Sequence, residues 1–291
     1  MRASIRGSVC RERSPATGRL LRHRAGVVGL GITALFLLVS LAGPELVSVQ
    51  PLEANFRAIL KPPSSAHWFG TDELGRDVLS RVVYGARISL KLVLAAVVLA
   101  LLAGGGLGIW AGFRGGAVEM VAMRAIDVLL ALPGFLIALV AITILGVGTV
   151  NLIIAVAIYS VPAFARVGHA AALALRPAEF VQAAISQGAT EARILTRHVL
   201  PNVLSPLIVQ ASLRMATALL LASSLSFLGL GVQPPVPEWG AMLANGRSYL
   251  STSPHVVLFP GLAIMLVTLG FNLLGDGLRD IFDPRLRSSQ P

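Results

Sequence analysis

Residues Leu92 to Phe113 read LVLAAVVLALLAGGGLGIWAGF, 22 consecutive residues without a single charge. A hydrocarbon core about 30 Å thick is crossed by roughly 20 apolar helical residues. This stretch is therefore long enough to span a membrane. Further uncharged runs extend from Ala25 to Pro44, Val128 to Ala165, Met215 to Pro237 and Ser248 to Gly275. The run from Val128 is too long for one crossing, and Gly146-Val147-Gly148-Thr149 divides it. Two helices are expected there, Met120–Leu145 and Val150–Ala165. The next span is expected to begin near Val203, because Pro201 and Pro206 suit the start of a helix. The count is six, which puts both termini on one side.

Composition agrees. Of the 291 residues 55% are hydrophobic and 13% charged, and the mean hydropathy is +0.78. A soluble domain carries about 25% charged residues, so a secreted enzyme and a soluble nucleic-acid-binding module are excluded. The net charge of +10 is concentrated rather than spread. Arg2, Arg6, Arg11, Arg13, Arg19, Arg22 and Arg24 precede the first apolar run, as in a tail held on the cytoplasmic side. The segment 170–202 and the carboxyl end carry further arginines, whereas the long connection from Glu45 to about Tyr84 balances its bases with acids. Both termini and segment 170–202 are therefore expected in the cytoplasm. A signal peptide cleaved near Ser40-Leu41-Ala42 is the rival reading of the first run, but that run exceeds a usual h-region and five spans follow it.

The chemistry that is missing narrows the function. Cys10 is the sole cysteine, so neither a disulfide nor a Cys–His zinc site is expected, and no cofactor or metal is predicted. The two lysines, Lys61 and Lys91, each follow a leucine, so no Walker A loop can be written. Gly104-Gly105-Gly106-Leu107-Gly108 lies inside a span and reads as a close helix contact through small residues. The spans are almost empty of ionisable groups, which an intramembrane enzyme or a proton-coupled carrier would need. The driving force is expected from another subunit.

Between Arg166 and Asn202 two short helices are predicted. Pro177 and Glu179 suit the first turn of one, Gly188 ends it, and Thr190-Glu191 opens the second. Phe180, Val181, Ala184 and Ile185 share a face at helical spacing. Such a helix either lies on lipid or docks into a partner, and spacing leaves both open.

Here the sequence resembles a known family. Ala183-Ala184, Gly188, Ile194 and Leu200-Pro201 match the EAA loop of binding-protein-dependent ABC importer permeases, with Gln182 where that motif has its Glu. Phe69-Gly70-Thr71-Asp72-Glu73-Leu74-Gly75-Arg76-Asp77 is similar to the block before the second span of the C-type subunit of dipeptide and oligopeptide permeases. Leu225 to Pro235, Asn272 to Asp280 and Asp283-Pro284-Arg285 resemble its fifth span and carboxyl end.

The resemblance implies an all-α type I importer permease in the bacterial cytoplasmic membrane, not itself an enzyme. Its expected partners are a B-type permease subunit, two cytoplasmic ATPases or a fused pair, an extracytoplasmic substrate-binding protein and a peptide substrate, with no nucleic acid. ATPase coupling falls on Gln182, Ala183, Ala184, Gly188, Ile194, Leu200 and Pro201. The expected division is a basic tail 1–24, a first span with its outer segment 25–85, a transmembrane core 86–276 with the loop at 170–202, and a tail 277–291. The same pattern occurs in importers of nickel complexes, glutathione and haem. A stand-alone channel or secondary carrier is the rival of another class.

Arg214, inside a span, reads either as a pathway-lining cation or as a residue snorkelling to the interface. Arg124 and Asp127 at i and i+3 are expected to pair, and His169 and His198 to be surface or docking groups. Pro133 and Pro162 are expected to kink their helices. Thr71 with Asp72 and Glu73 reads as a capped helix start. Trp68, Trp110 and Trp239 read as interfacial anchors.

Overall fold

The computed structural model describes residues 24–47 and 49–282. Cys10, the arginine cluster before Arg24, and Asp283-Pro284-Arg285 lie outside them. The described chain is helical: five helices are long and apolar enough to cross a membrane, and a sharply bent pair passes the same test only when its two helices are taken together, for up to six spans.

Helix α1 (Arg24–Leu46) inverts the pattern of a soluble helix. Its buried residues include Gly26, Gly29, Thr33, Ser40 and Gly43, while Leu35, Leu38 and Leu41 point outward. In lipid, leucine gains nothing by leaving the surface, and small residues let backbones approach. α1 lies against α2 (Val78–Ala100) and α11 (His255–Phe282). α2 starts where Asp77 accepts a hydrogen bond from Ser80 N at 2.8 Å. The helix start expected at Thr71 is thus displaced to Asp77, and the boundary drawn at residue 85 falls within α2. Thr71 instead donates its hydroxyl to the carbonyl of Ala58. Asp72 accepts from Leu74 N and Arg76 N, and pairs with the buried guanidinia of Arg76 at 2.7 Å and Arg81 at 3.2 Å. These bonds satisfy the charges that burial removes from water.

A π-helical stretch, Leu101–Gly105, carries α2 into α3 (Gly106–Arg114). Gly104, Gly108 and Gly112, one turn apart, face the backbone of Val161, Ala165 and His169 on α6 (Thr149–Leu175). A Cβ on any of the three would overlap the facing carbonyl. The glycine run is a helix contact, as its position in the sequence suggests. α6 also packs on α2, α5 and α9 and buries Leu152, Val156 and Phe164 completely.

The third span departs from the expected single helix. α4 (Gly116–Ala131) and α5 (Gly134–Leu145) meet at 96°. The cause is local: Pro133 pushes the residue before it out of the α region, and Leu132 is extended at ψ 145°. Pro133 therefore breaks the span rather than kinking it. The Gly146–Gly148 turn follows as expected, closed by Asn151 Nδ2 donating to Leu145 O at 2.8 Å and Gly146 O at 3.0 Å.

After α6 the chain forms α7 (Glu179–Ser186) and α8 (Glu191–Ile194), then a π-helical turn into α9 (Leu200–Phe227). α9 ends in a Schellman arrangement at Gly229, with Leu230 N to Leu225 O at 3.0 Å. The short α10 (Trp239–Gly246) packs on α9 and α11.

Trp239 is not an interfacial anchor. It is fully buried, meets Phe36 edge-on at 6.0 Å and donates Nε1 to Val82 O at 2.9 Å. Gly85 leaves the room its ring needs. Glu238 beside it caps α10, accepting from Gly240 N and Ala241 N at 2.9 Å each. Burial pushes its carboxyl above the usual carboxylate range, against the two backbone donors. Trp68 and Trp110 remain exposed.

Candidate coupling site

The link from α6 to α9 is built from caps. Arg176 ends α6, its N–H reaching Ala172 O and Leu173 O. Glu179 sits in the first turn of α7, where a negative charge meets the helix's positive end. Gly188 reverses the chain at φ +76°, with Gly188 N to Ile185 O at 2.9 Å and Ala189 N to Ala184 O at 3.1 Å. These two bonds are a Schellman motif, which requires the left-handed backbone that glycine supplies. Thr190 then opens α8, its Oγ1 accepting from Arg193 N at 3.4 Å.

The two short helices form a hairpin with distinct faces. Val181, Ala184, Ile194 and Val199 are buried and belong to the main core. Gln182, Ala183, Ile185 and Gly188 are exposed, as are Leu200 and Pro201 at the start of α9. The face grouped by helical spacing is therefore split. Val181 and Ala184 hold the hairpin to the bundle, while Phe180 and Ile185 remain 44% and 47% exposed. The Phe180 ring lies 6.3 Å from that of His198. Gln182 donates Nε2 to Arg176 O at 2.8 Å, tying the hairpin to the end of α6. A glutamate carboxylate could not make that bond, since it has no hydrogen to donate.

Arg214 lies 14 residues beyond Leu200 in α9, about 21 Å along the axis at 1.5 Å per residue. It is half-buried, and its guanidinium sits 5.8 Å from the centroid of the Tyr159 ring on α6.

A second charged cluster went unforeseen. Asp127 pairs with Arg166 of α6 rather than with Arg124, and Glu119 meets His169 at 2.7 Å. Glu119, Met123, Arg124, Asp127, Arg166 and His169 line a groove of about 320 Å³ between α4 and α6. These partners are 39 and 50 residues apart in sequence, so no local spacing announces them.

The described residues form a bundle of candidate membrane spans with two short helices between α6 and α9. Residues 104–288 match the model of the binding-protein-dependent transport system inner membrane component. Residues 16–63 match that of the N-terminal TM domain of oligopeptide transport permease C. The chain belongs to this family of transport-system inner membrane components.

Three relatives illustrate the range. The dipeptide transport system permease protein DppC of Alkalihalophilus pseudofirmus is 46% identical, over 93% of this chain and 89% of its own. The glutathione transport system permease protein GsiD of Pectobacterium atrosepticum is 49% identical, covering 93% and 90%. The di/tripeptide transport system permease protein DppC of Pseudomonas aeruginosa is 44% identical, covering 92% and 90%. Among solved structures, an inward-facing conformation of the MetNI methionine ABC transporter shares the fold at a TM-score of 0.56 and 17% identity. That match covers 70% of this chain and 97% of that one.

Proposed function

We propose that this chain is one of two permease subunits of an ATP-driven importer of small peptides, coupled to cytoplasmic ATPases through the hairpin 179–202. The hairpin's geometry carries the reading. It presents exposed Gln182, Ala183, Ile185 and Gly188 outward, while Val181, Ala184 and Ile194 are locked into the core shared by α6 and α9. A force applied to that surface reaches the spans without passing through a flexible linker. Ala184 and Ile194 serve as the internal anchors, Leu200 and Pro201 as the junction that passes displacement into α9. ATP-driven closure of the ATPase pair would then switch the spans between inward- and outward-open packings.

In this reading both termini and the hairpin lie in the cytoplasm, as the arginine distribution suggests, and the loop 49–77 lies outside to meet a substrate-binding protein. The substrate class comes from the relatives, whose names give dipeptides, di/tripeptides and glutathione. Glutathione is itself a tripeptide, so a small peptide with free carboxylates is the common chemistry.

The isolated chain should neither hydrolyse ATP nor gain thermal stability from it, because Lys61 and Lys91 lack a P-loop context. With the second permease and the ATPases in proteoliposomes, and the binding protein added, ATP should drive peptide uptake. Saturable hydrolysis by the isolated chain, free of contaminating ATPase, would remove the reading.

A further inference from the structure

Arg214 and Tyr159 form a polar station whose occupant is not supplied by the described residues. Between Arg197 and Glu238, Arg214 is the sole charged residue. It stands 14 residues from one end of the 28-residue α9 and 13 from the other, so both ends lie about 20 Å away. Its guanidinium is half-buried against the Tyr159 ring of α6, directed into the bundle rather than out to an interface. Among the described residues no carboxylate pairs with it. An unpaired guanidinium facing hydrocarbon is expensive, and charges within spans instead face a bundle interior or a water-filled cavity.

The surroundings supply further polar groups. Gln210 and Thr217 lie at i−4 and i+3 from Arg214 and so share its face of α9; Gln210 is half-buried and Thr217 exposed. Opposite stands Tyr159, whose ring occupies the place a Cβ on Gly134 would need. Gly134 opens α5 immediately after the break at Pro133. Broken backbone at membrane depth is tolerated only within protein or beside a water-filled cavity. The guanidinium interacts with the Tyr159 ring at 5.8 Å, and its fork of N–H donors suits a planar carboxylate, which it can bind in two parallel hydrogen bonds.

We propose that Arg214, positioned by Tyr159, is a carboxylate-recognition site on this subunit's side of the pathway and engages the free carboxylate of the peptide in transit. This rests on the importer reading and adds a specificity determinant to it.

The test is ATP-driven uptake by the complete transporter in proteoliposomes, with a dipeptide and its C-terminal amide, each at a concentration that saturates the binding protein. The binding protein's own preference then cancels between transporters. Arg214→Gln should lower the ratio of free-acid to amide uptake about tenfold, the size expected for losing a hydrogen bond between charged groups. Arg214→Lys should keep part of the preference, and Tyr159→Phe, which retains the ring, most of it.

An unchanged ratio, or an equal loss for both peptides with assembly intact, would overturn the assignment. Failure of Arg214→Gln to assemble, rescued by neutralising an acid on the second permease, would overturn it too and identify an inter-subunit ion pair. If the unaltered transporter moves neither peptide, the importer reading itself falls and this site with it.

Discussion

A transporter carrying Gly188→Glu should insert and pair with its partner permease, yet lose at least about tenfold of its transport-linked ATP hydrolysis. Gly188 holds φ at +76° and closes the Schellman turn between α7 and α8. A side-chain-bearing residue in the left-handed region costs roughly 1–2 kcal/mol. That is enough to loosen a local turn and too little to unfold the helical bundle. Among the described residues nothing lies within 4 Å of the place a Cβ would take, so the added carboxylate points away from the fold. It would stand on the surface assigned to the ATPase, where a charge without a partner opposes docking. Gln182→Ala should be milder, because it removes one hydrogen bond to Arg176 O, about 1 kcal/mol. ATP hydrolysis stimulated by binding protein and peptide is the readout. Unimpaired stimulation and normal uptake in Gly188→Glu at normal expression would show that the hairpin does not couple.

Gly108→Leu should act on the fold instead. The missing Cβ at Gly108 lies against the carbonyl of Ala165, between equivalent contacts of Gly104 with Val161 and Gly112 with His169. Backbone cannot yield as the tip of a flexible side chain can, so α3 must move away from α6 along the whole glycine ridge. Overpacking typically costs about 1–3 kcal/mol and occasionally more, and three linked contacts place this variant at about 3 kcal/mol or beyond. Thermal unfolding in detergent should show a large fall in midpoint and poor recovery of monodisperse protein. Gly106→Leu, on another face of the same helix with open space around its Cβ position, should behave nearly as the parent. Equal stability of the Gly108→Leu and Gly106→Leu proteins would refute the close contact.

The contrast between these glycines shows what sequence can and cannot convey. Uncharged runs of span length are visible because bilayer thickness fixes their length. Turn signals at Gly146–Gly148, Gly188 and Thr190 are equally local, and the structure places turns and caps at these positions. Residue partners across the bundle have no such local origin. Asp127 selects Arg166 over the nearer Arg124 because α4 and α6 lie side by side, a fact that no i, i+3 rule contains.

Pro133 was readable as a disturbance, but whether a proline bends a helix or breaks it depends on what surrounds it. Trp239 shows the same limit: an aromatic near a span end resembles an anchor until Gly85 and Phe36 are seen to enclose it. At the hairpin 179–202, the apolar face was legible as a set, but its division was not. Val181 and Ala184 are taken by the core while Phe180 and Ile185 stay outside, which only the docked position of α7 determines.

Coupling through the hairpin is tested most directly by a photochemical cross-link from its exposed surface. Ala183 is exposed, and no hydrogen bond of its side chain would be lost on substitution. In a Cys10→Ser background, Ala183→Cys can carry a benzophenone maleimide in membranes containing the assembled transporter. Coupling predicts a cross-link to the ATPase subunit whose yield changes when ATP is trapped. Labelling of the Ala183→Cys variant from outside intact cells, or a cross-link only to lipid in a transporter that still moves peptide, would contradict it.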